Sequence, residues 1–111
     1  MLRGSVYYVD FNPSTGSEIR KTRPALVISN DEANRNLRTV IVIPFTSKTN
    51  NVYPFEVFVK KEEAGLDVDS KLTIPQMRAV DKIRLKKYVG SLTDERIAEV
   101  EKAIKLHLAI K

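Results

Sequence analysis

An arginine and a threonine at the ends of two neighbouring apolar runs carry the clearest chemistry in this sequence. Arg23-Pro24 leads into Ala25-Leu26-Val27-Ile28, and Thr46 closes Val40-Ile41-Val42-Ile43-Pro44-Phe45. If both runs are strands of one sheet, a guanidinium at the mouth of the first and a hydroxyl at the end of the second converge at one edge. A cation and a hydroxyl aimed at one point suit a phosphate better than a sugar, a metal or an acyl group. The guanidinium is a charged planar fork able to hold more than one phosphate oxygen. A threonine hydroxyl is a donor on a stiff, β-branched side chain.

Several routes to catalysis are closed by composition. The chain has no cysteine, so disulfides, thiolate metal sites and cysteine nucleophiles are excluded. Its only histidine, His107, has no second histidine to share acid–base work with in one subunit, and it reads as a packing or surface residue beside the apolar stripe of a terminal helix. No phosphate-binding glycine loop, nucleophile elbow or His-Glu-x-x-His is present. The carboxylates show no spacing that suggests a metal pair, so no metal or other cofactor is expected.

At 111 residues, 42% hydrophobic and 30% charged, the chain reads as one globular domain spanning residues 1–111. A net charge of +5 and a pI of 9.6 favour an anionic partner. The basic residues cluster: Arg20, Lys21 and Arg23 in one loop, and Arg78, Lys82, Arg84, Lys86 and Lys87 in a later segment. No apolar stretch approaches the roughly 20 residues of a bilayer-spanning helix, and Met1-Leu2-Arg3-Gly4-Ser5 lacks the apolar run of a secretory signal. A cytoplasmic location without membrane attachment is the expectation.

The elements that must position these groups are short. Ser5 to Phe11 reads as a strand stopped by Asn12-Pro13, and Pro13 to Thr22 as a polar loop too long for a tight hairpin. Ala25 to Ser29 and Thr39 to Phe45 read as strands buried on both faces, with a single helical turn at Asp31 to Asn36 capped by Asn30 between them. Phe55 to Val59 predicts a fourth strand, Glu62 to Leu66 a turn, Ser70 to Ile74 and Arg78 to Val80 strands flanking Pro75, and Tyr88 to Leu92 a short last strand. Thr93 then caps a C-terminal helix. Its first turn carries Asp94 and Glu95, Leu92 and Ile97 form a staple, and Ile97, Val100, Ile104 and Leu108 form an apolar stripe. Many strands and one helix point to a small β-barrel or strongly bent sheet.

The sequence resembles the MazF/PemK family of endoribonuclease toxins almost end to end. The resemblance is carried by Arg3-Gly4, Gly16-Ser17-Glu18, Lys21-Thr22-Arg23-Pro24, Thr46 and Gln76-Met77-Arg78-Ala79-Val80-Asp81-Lys82. It implies a mainly β (α+β) fold, an SH3-like small barrel of the CcdB/MazF kind with helices outside, and a homodimer. It implies Arg23 and Thr46 as a catalytic pair acting on single-stranded RNA, chiefly mRNA. The RNA's own 2′-hydroxyl is then the nucleophile, and the ends are a 2′,3′-cyclic phosphate or 3′-phosphate and a 5′-hydroxyl. Growth arrest by the free protein and neutralisation by a MazE-like antitoxin follow from the same likeness.

Candidate substrate contacts surround the pair: Glu18, Arg20 and Lys21 before it, Ser47 and Lys48 after Thr46, Tyr53 as a stacking ring, and Gln76 with Arg78 at a rim able to read base edges. Guanidinium groups make poor general bases, so Arg23 is read as electrostatic stabiliser and proton donor, with the base unassigned. Each residue has a plainer role beside the functional one. Arg23 could pair with Glu18, Thr46 could cap a strand end, and Gln76 could brace a barrel corner where Asp81 pairs with Lys82 or Arg84. Ile19 stands where family members commonly carry glutamine. Two other functions share the barrel: a CcdB-like gyrase inhibitor, disfavoured because the chain has no tryptophan, and a non-catalytic RNA-binding module.

Overall fold

The computed structural model describes the whole chain, Met1–Lys111. Seven strands and three α-helices follow one another: β1 (Ser5–Asp10), β2 (Thr22–Val27), α1 (Asp31–Asn36), β3 (Thr39–Thr46), β4 (Val57–Val59), α2 (Lys61–Ala64), β5 (Ser70–Leu72), β6 (Arg78–Asp81), β7 (Leu85–Ser91) and α3 (Asp94–His107). Single 3-10 turns at Ile74–Gln76 and Lys82–Arg84 flank β6. All ladders are antiparallel, in the order β4-β5-β3-β2-β1-β7, with β6 also on β3.

The mainly β class with a C-terminal helix holds, and the sheet is strongly bent. The ring of strands β6, β3, β2, β1 and β7 stays open, because no ladder joins β6 to β7. Strand limits depart from the sequence reading where a neighbour supplies pairing that the side chains do not advertise. β2 begins at Thr22 because Asp10 and Val9 pair with Thr22 and Arg23, so Arg23 lies within a strand, not ahead of one starting at Ala25. β7 begins at Leu85, opposite Val9, and not at Tyr88. Its Lys86 and Lys87 read as loop, yet lysines are what an exposed edge strand carries to discourage further pairing. β4 is shortened to Val57 because Tyr53 to Glu56 turns back on itself, with the Glu56 N–H donating to the Tyr53 carbonyl at 2.8 Å.

β3 holds the sheet together by changing partners along its length. Its first half pairs with β2 and β6, up to Ala25 opposite Pro44 and Arg78 opposite Val42. Its last two residues pair with β5, Phe45 opposite Leu72 and Thr46 opposite Lys71. Pro44 marks the handover. It has no N–H to give a ladder, and its carbonyl accepts both the N–H of Thr73 at 2.9 Å and the Thr73 hydroxyl at 2.7 Å. β2 is buried on both faces only from Ala25 to Val27, within the segment expected to be so, and β3 is not buried throughout either, since Ile41 remains 40% exposed.

Alternation divides the apolar side chains into two cores. The larger includes Leu26, Ile43, Phe45, Val57, Val59, Leu72 and, from α3, Ile97, Val100 and Ala103. The smaller gathers Val9, Phe11, Ala25, Val27, Val40, Val42 and Val80. α3 starts as its sequence dictates, the Thr93 side chain accepting from the Arg96 N–H at 3.3 Å, with Leu92 and Ile97 both buried. Its stripe ends sooner than predicted. Ala103 is the last buried residue, and Leu108 lies beyond the helix, 51% exposed, because the helix outruns the sheet it docks on. Tight approach fixes the other end, where a Cβ on Gly90 would meet the Ala64 carbonyl at 2.5 Å.

Glu63 ties α2 to α3. One carboxylate oxygen accepts the Lys60 N–H at 2.8 Å, and the other meets Arg96 at 2.8 Å. Burial pushes its carboxyl up, but the Lys60 N–H and the Arg96 guanidinium together outweigh that, and the group sits below its ordinary value. A carboxyl depressed by folding contributes stability above its unfolded pKa and loses it as pH falls through the folded one. Glu63→Gln should therefore lower the melting temperature at neutral pH and flatten its fall on acidification. Thermal melts of both proteins down to a pH of about 3 would show it; parallel curves would refute the linkage.

Candidate active site

Strand register brings the predicted catalytic pair together. Residues directly opposite one another in a ladder project to the same face, and every second residue repeats that face. The ladder between β2 and β3 ends with Ala25 opposite Pro44, and its register, continued by two residues, sets Arg23 against Thr46. Both point to the face of the smaller core, in line with Val27 and Ala25 on β2 and with Val42 and Pro44 on β3. Arg78 joins that face as the partner of Val42, and its guanidinium carbon lies 5.9 Å from the Phe11 ring centroid.

The donors that matter are held by one end and open at the other. Arg23 donates its Nε–H to the Arg20 carbonyl at 3.0 Å, which leaves the two Nη groups of its fork uncommitted. Thr46 Oγ1 accepts the Lys48 N–H at 3.3 Å and makes no donated bond, so its own proton is free. None of the four ion pairs of the chain uses Arg20, Lys21, Arg23, Lys48 or Arg78. Glu18 does not pair with Arg23; its carboxylate accepts the Thr15 N–H at 2.6 Å and shapes its own turn. The result is a cluster of unneutralised cations beside a free hydroxyl, suited to an anion with several oxygens.

A hollow of about 210 Å³ opens next to Arg23, lined by Tyr8, Pro24, Phe45, Ser47, Asp67 and Ser70 among others. Tyr8 and Asp67 are residues the sequence did not single out. The Tyr8 hydroxyl donates to the Asp67 carboxylate at 3.4 Å, and burial, then that carboxylate, push the phenol above its ordinary value. Thr46 does not line this hollow, and larger ones lie elsewhere without Arg23, one of about 990 Å³ between β4 and α3 and an apolar one of about 400 Å³ beside Ile41.

Comparison with known proteins identifies the family of the chain. The pattern of PemK-like, MazF-like toxins of type II toxin–antitoxin systems matches residues 2–108. The chain belongs to that family. It is 38% identical over 113 residues to Endoribonuclease MazF9 of Mycobacterium tuberculosis, an alignment covering 97% of this chain and 96% of the relative. It is 39% identical over 111 residues to Endoribonuclease MazF of Staphylococcus saprophyticus, with 99% and 92% covered. The crystal structure of MazF from Deinococcus radiodurans superposes with a TM-score of 0.84 at 27% identity, covering 98% of this chain and 96% of that one.

The loop between β1 and β2 is held beside Arg23 by specific bonds. Arg20 donates to the Gly16 carbonyl at 2.9 Å, while its own carbonyl holds Arg23. Lys21 sits in the left-handed region at φ 69°, fixed by the Asn12 side chain at 3.1 Å and by the Phe11 N–H at 3.0 Å. Ile19 packs on the smaller core, which explains an apolar side chain at that point of the loop. Gln76 accepts the Ile19 N–H at 3.3 Å and donates to the Ser17 carbonyl at 3.4 Å, so both ends of its amide face loop backbone and not open solvent. Asp81 caps the following turn through the Ile83 N–H at 3.0 Å and pairs with neither Lys82 nor Arg84; Arg84 instead donates to the carbonyls of Asp10, at 3.2 Å, and Asn12.

Ser47 and Lys48 are exposed where the chain leaves Thr46. Tyr53 is 53% exposed, stacked on Phe55 at 5.5 Å, and Phe55 in turn meets His107 at 5.4 Å. His107 thus packs against an aromatic side chain, in keeping with its reading as a packing or surface residue. Gln76→Ala removes the only side chain bonded to both Ser17 and Ile19. Faster amide exchange at Ile19 is expected, with a stability loss of about 1 kcal/mol; unchanged exchange at Ile19 would show the loop held by other means.

Proposed function

We propose that this chain is a metal-independent endoribonuclease toxin that cuts single-stranded RNA, chiefly mRNA, using the 2′-hydroxyl of the RNA itself. The observation that carries this reading is that the register of β2 on β3, continued past Ala25 and Pro44, sets the open end of the Arg23 fork on the same face as the free hydroxyl of Thr46. Membership of a family of toxins of type II toxin–antitoxin systems and two relatives named as endoribonucleases support it.

In the reaction the 2′-hydroxyl gives up its proton to solvent, the 2′-oxygen bonds to phosphorus, the bond to the 5′-oxygen breaks, and a proton reaches the departing oxygen. Negative charge grows on the non-bridging oxygens. Arg23 Nη groups and the Thr46 hydroxyl are donors preorganised for those oxygens, and no carboxylate is bonded to either of them. Arg23 also supplies the leaving-group proton. Arg20, Lys21, Lys48 and Arg78 draw in the phosphodiester backbone, Tyr53 stacks a base, and Glu18, Ser47 and Gln76 shape the contacts around the cut. The products carry a 2′,3′-cyclic phosphate or 3′-phosphate and a 5′-hydroxyl.

Two partners follow. The same unpaired cations suit the acidic segment of a MazE-like antitoxin, which would occupy the RNA surface. A second copy of the chain fits the apolar hollow formed by Ile28, Ile41, Met77, Ile104 and Ile110, where Ile41 is 40% exposed and Ile110 54% exposed. The chain works in the cytoplasm, where mRNA is; no helix of the fold is long and apolar enough to cross a membrane.

The deciding assay is cleavage of a long unstructured RNA in excess EDTA, with product ends identified chemically. Discrete cuts with 5′-hydroxyl ends are expected. Loss of one transition-state donor typically slows such a step by about a hundredfold or more, so Arg23→Ala, Arg23→Lys and Thr46→Val should each fall at least that far. Near-normal cutting by Arg23→Lys would remove the forked contact from the mechanism. Sedimentation should give a dimer for the parent and a monomer for Ile41→Glu; a parent monomer across micromolar concentrations would overturn the assembly.

A further inference from the structure

Lys71 is the only charged residue that the fold buries, with 8% of its surface exposed. It lies in β5 with Thr46 opposite it on one side and Phe58 on the other. Partners across a ladder share a face, so the Lys71 ammonium rises from the same face as the Thr46 hydroxyl. The loop that follows Thr46, from Ser47 to Glu56, closes over it.

The ammonium holds that loop at three points. Nζ donates to the Asn51 carbonyl at 2.6 Å and to Glu56 Oε1 at 2.8 Å, and it stands 5.8 Å from the centroid of the Tyr53 ring. The same Glu56 oxygen accepts the Tyr53 N–H at 3.1 Å. Asn51, Tyr53 and Glu56 are thus locked to one atom of β5. Burying an ion pair gives on average no more stability than apolar side chains of the same volume. What this pair supplies is a fixed place for Tyr53 relative to Thr46.

We propose that Lys71, with Glu56, is a positioning residue for RNA cleavage that sets the register of the cut. It fixes the span between the hydroxyl at the scissile phosphate and the ring on which a neighbouring base stacks, so that a base caught by Tyr53 brings one particular phosphodiester to Thr46. This rests on the nuclease reading above. Lys71 itself touches no RNA in this arrangement and acts through the loop.

The test compares the parent chain, Lys71→Met, Tyr53→Ala and the double variant on one long unstructured RNA, measuring KM, kcat and the position of every cut. Removing a stacked base contact typically weakens binding by about tenfold, so Lys71→Met should raise KM by that order with little change in kcat. Its cuts should spread to adjacent phosphodiesters while keeping the same chemical ends. Tyr53→Ala should reproduce both effects, and the double variant should add nothing to either single change. A folded Lys71→Met with parental KM and cut positions would overturn the proposal, as would effects that multiply in the double variant. Tyr53 is largely exposed, so its variant reports even if Lys71→Met does not fold, and parental cutting by Tyr53→Ala would overturn the proposal equally. Failure of the parent chain to cut any RNA would remove the nuclease reading and this one with it, whereas parental cutting with an unmoved Tyr53→Ala removes only this one.

Discussion

The register between β2 and β3 is the constraint on which the site depends. Three residue pairs, ending with Ala25 opposite Pro44, decide that Arg23 and Thr46 arrive on the same face. A slip of one residue would send Thr46 into the larger core and Phe45 out of it. The alternation of the two cores prevents this, since Leu26 and Ile43 must stay with α3 while Ala25, Val27 and Val42 stay with Phe11. The placement of Arg23 and Thr46 is therefore maintained by the burial of side chains that belong to neither. A Pro44 with no donor and a doubly used carbonyl is what lets β3 leave one set of partners for another just before Thr46.

Each of the two loops beside the pair is tied down by side chains of the segment from β5 to β6. Gln76 reaches the backbone of Ser17 and Ile19, and Lys71 reaches Asn51 and Glu56. The two anchors differ in kind. The amide makes long, partly exposed bonds that water could replace at little cost, whereas the buried ammonium has no alternative partner. Losing one member of a buried ion pair costs about 3–5 kcal/mol, far more than losing an amide contact of about 1 kcal/mol. The first loop can therefore open while the fold persists, and the second cannot open without exposing the interior. On the proposed function, adaptation to an incoming strand would fall to the loop carrying Arg20 and Lys21, with the loop carrying Tyr53 as the fixed reference.

Much of this was legible in the sequence, and the failures have physical causes. Caps and staples are local, so α1 and the start of α3 were readable to the residue. Where pairing across the sheet decides, local reading fell short: Lys86 and Lys87 concealed half of β7, and Pro24 seemed to mark a strand start that β1 had already set. The family's pattern pointed to Arg23 and Thr46, and register supplies the reason they can act together. It could not show that Gln76 would face backbone, or that Glu18 would shape its own turn and leave Arg23 unpaired. Lys71 escaped altogether. In a three-residue strand beside Ser70 a lysine reads as solvent-exposed, and only the fold-back of the Asn51–Glu56 segment, some distance away in sequence, buries it.

The distribution of charge follows from the same division of labour. The chain places its carboxylates against Arg3, Lys71 and Arg96, where they tie elements together, and withholds them from Arg20, Lys21, Arg23, Lys48 and Arg78. These cations gain nothing for the folded state from an ion pair, and they remain available for an anion to complete. A phosphodiester chain does so and meets the Thr46 proton, and an acidic protein segment does so without offering a bond to break. On the proposed function, substrate and inhibitor would compete for one surface, and a substitution there that weakens RNA binding would weaken inhibition as well. Escape from an antitoxin without loss of cleavage would have to come from residues outside the cationic face.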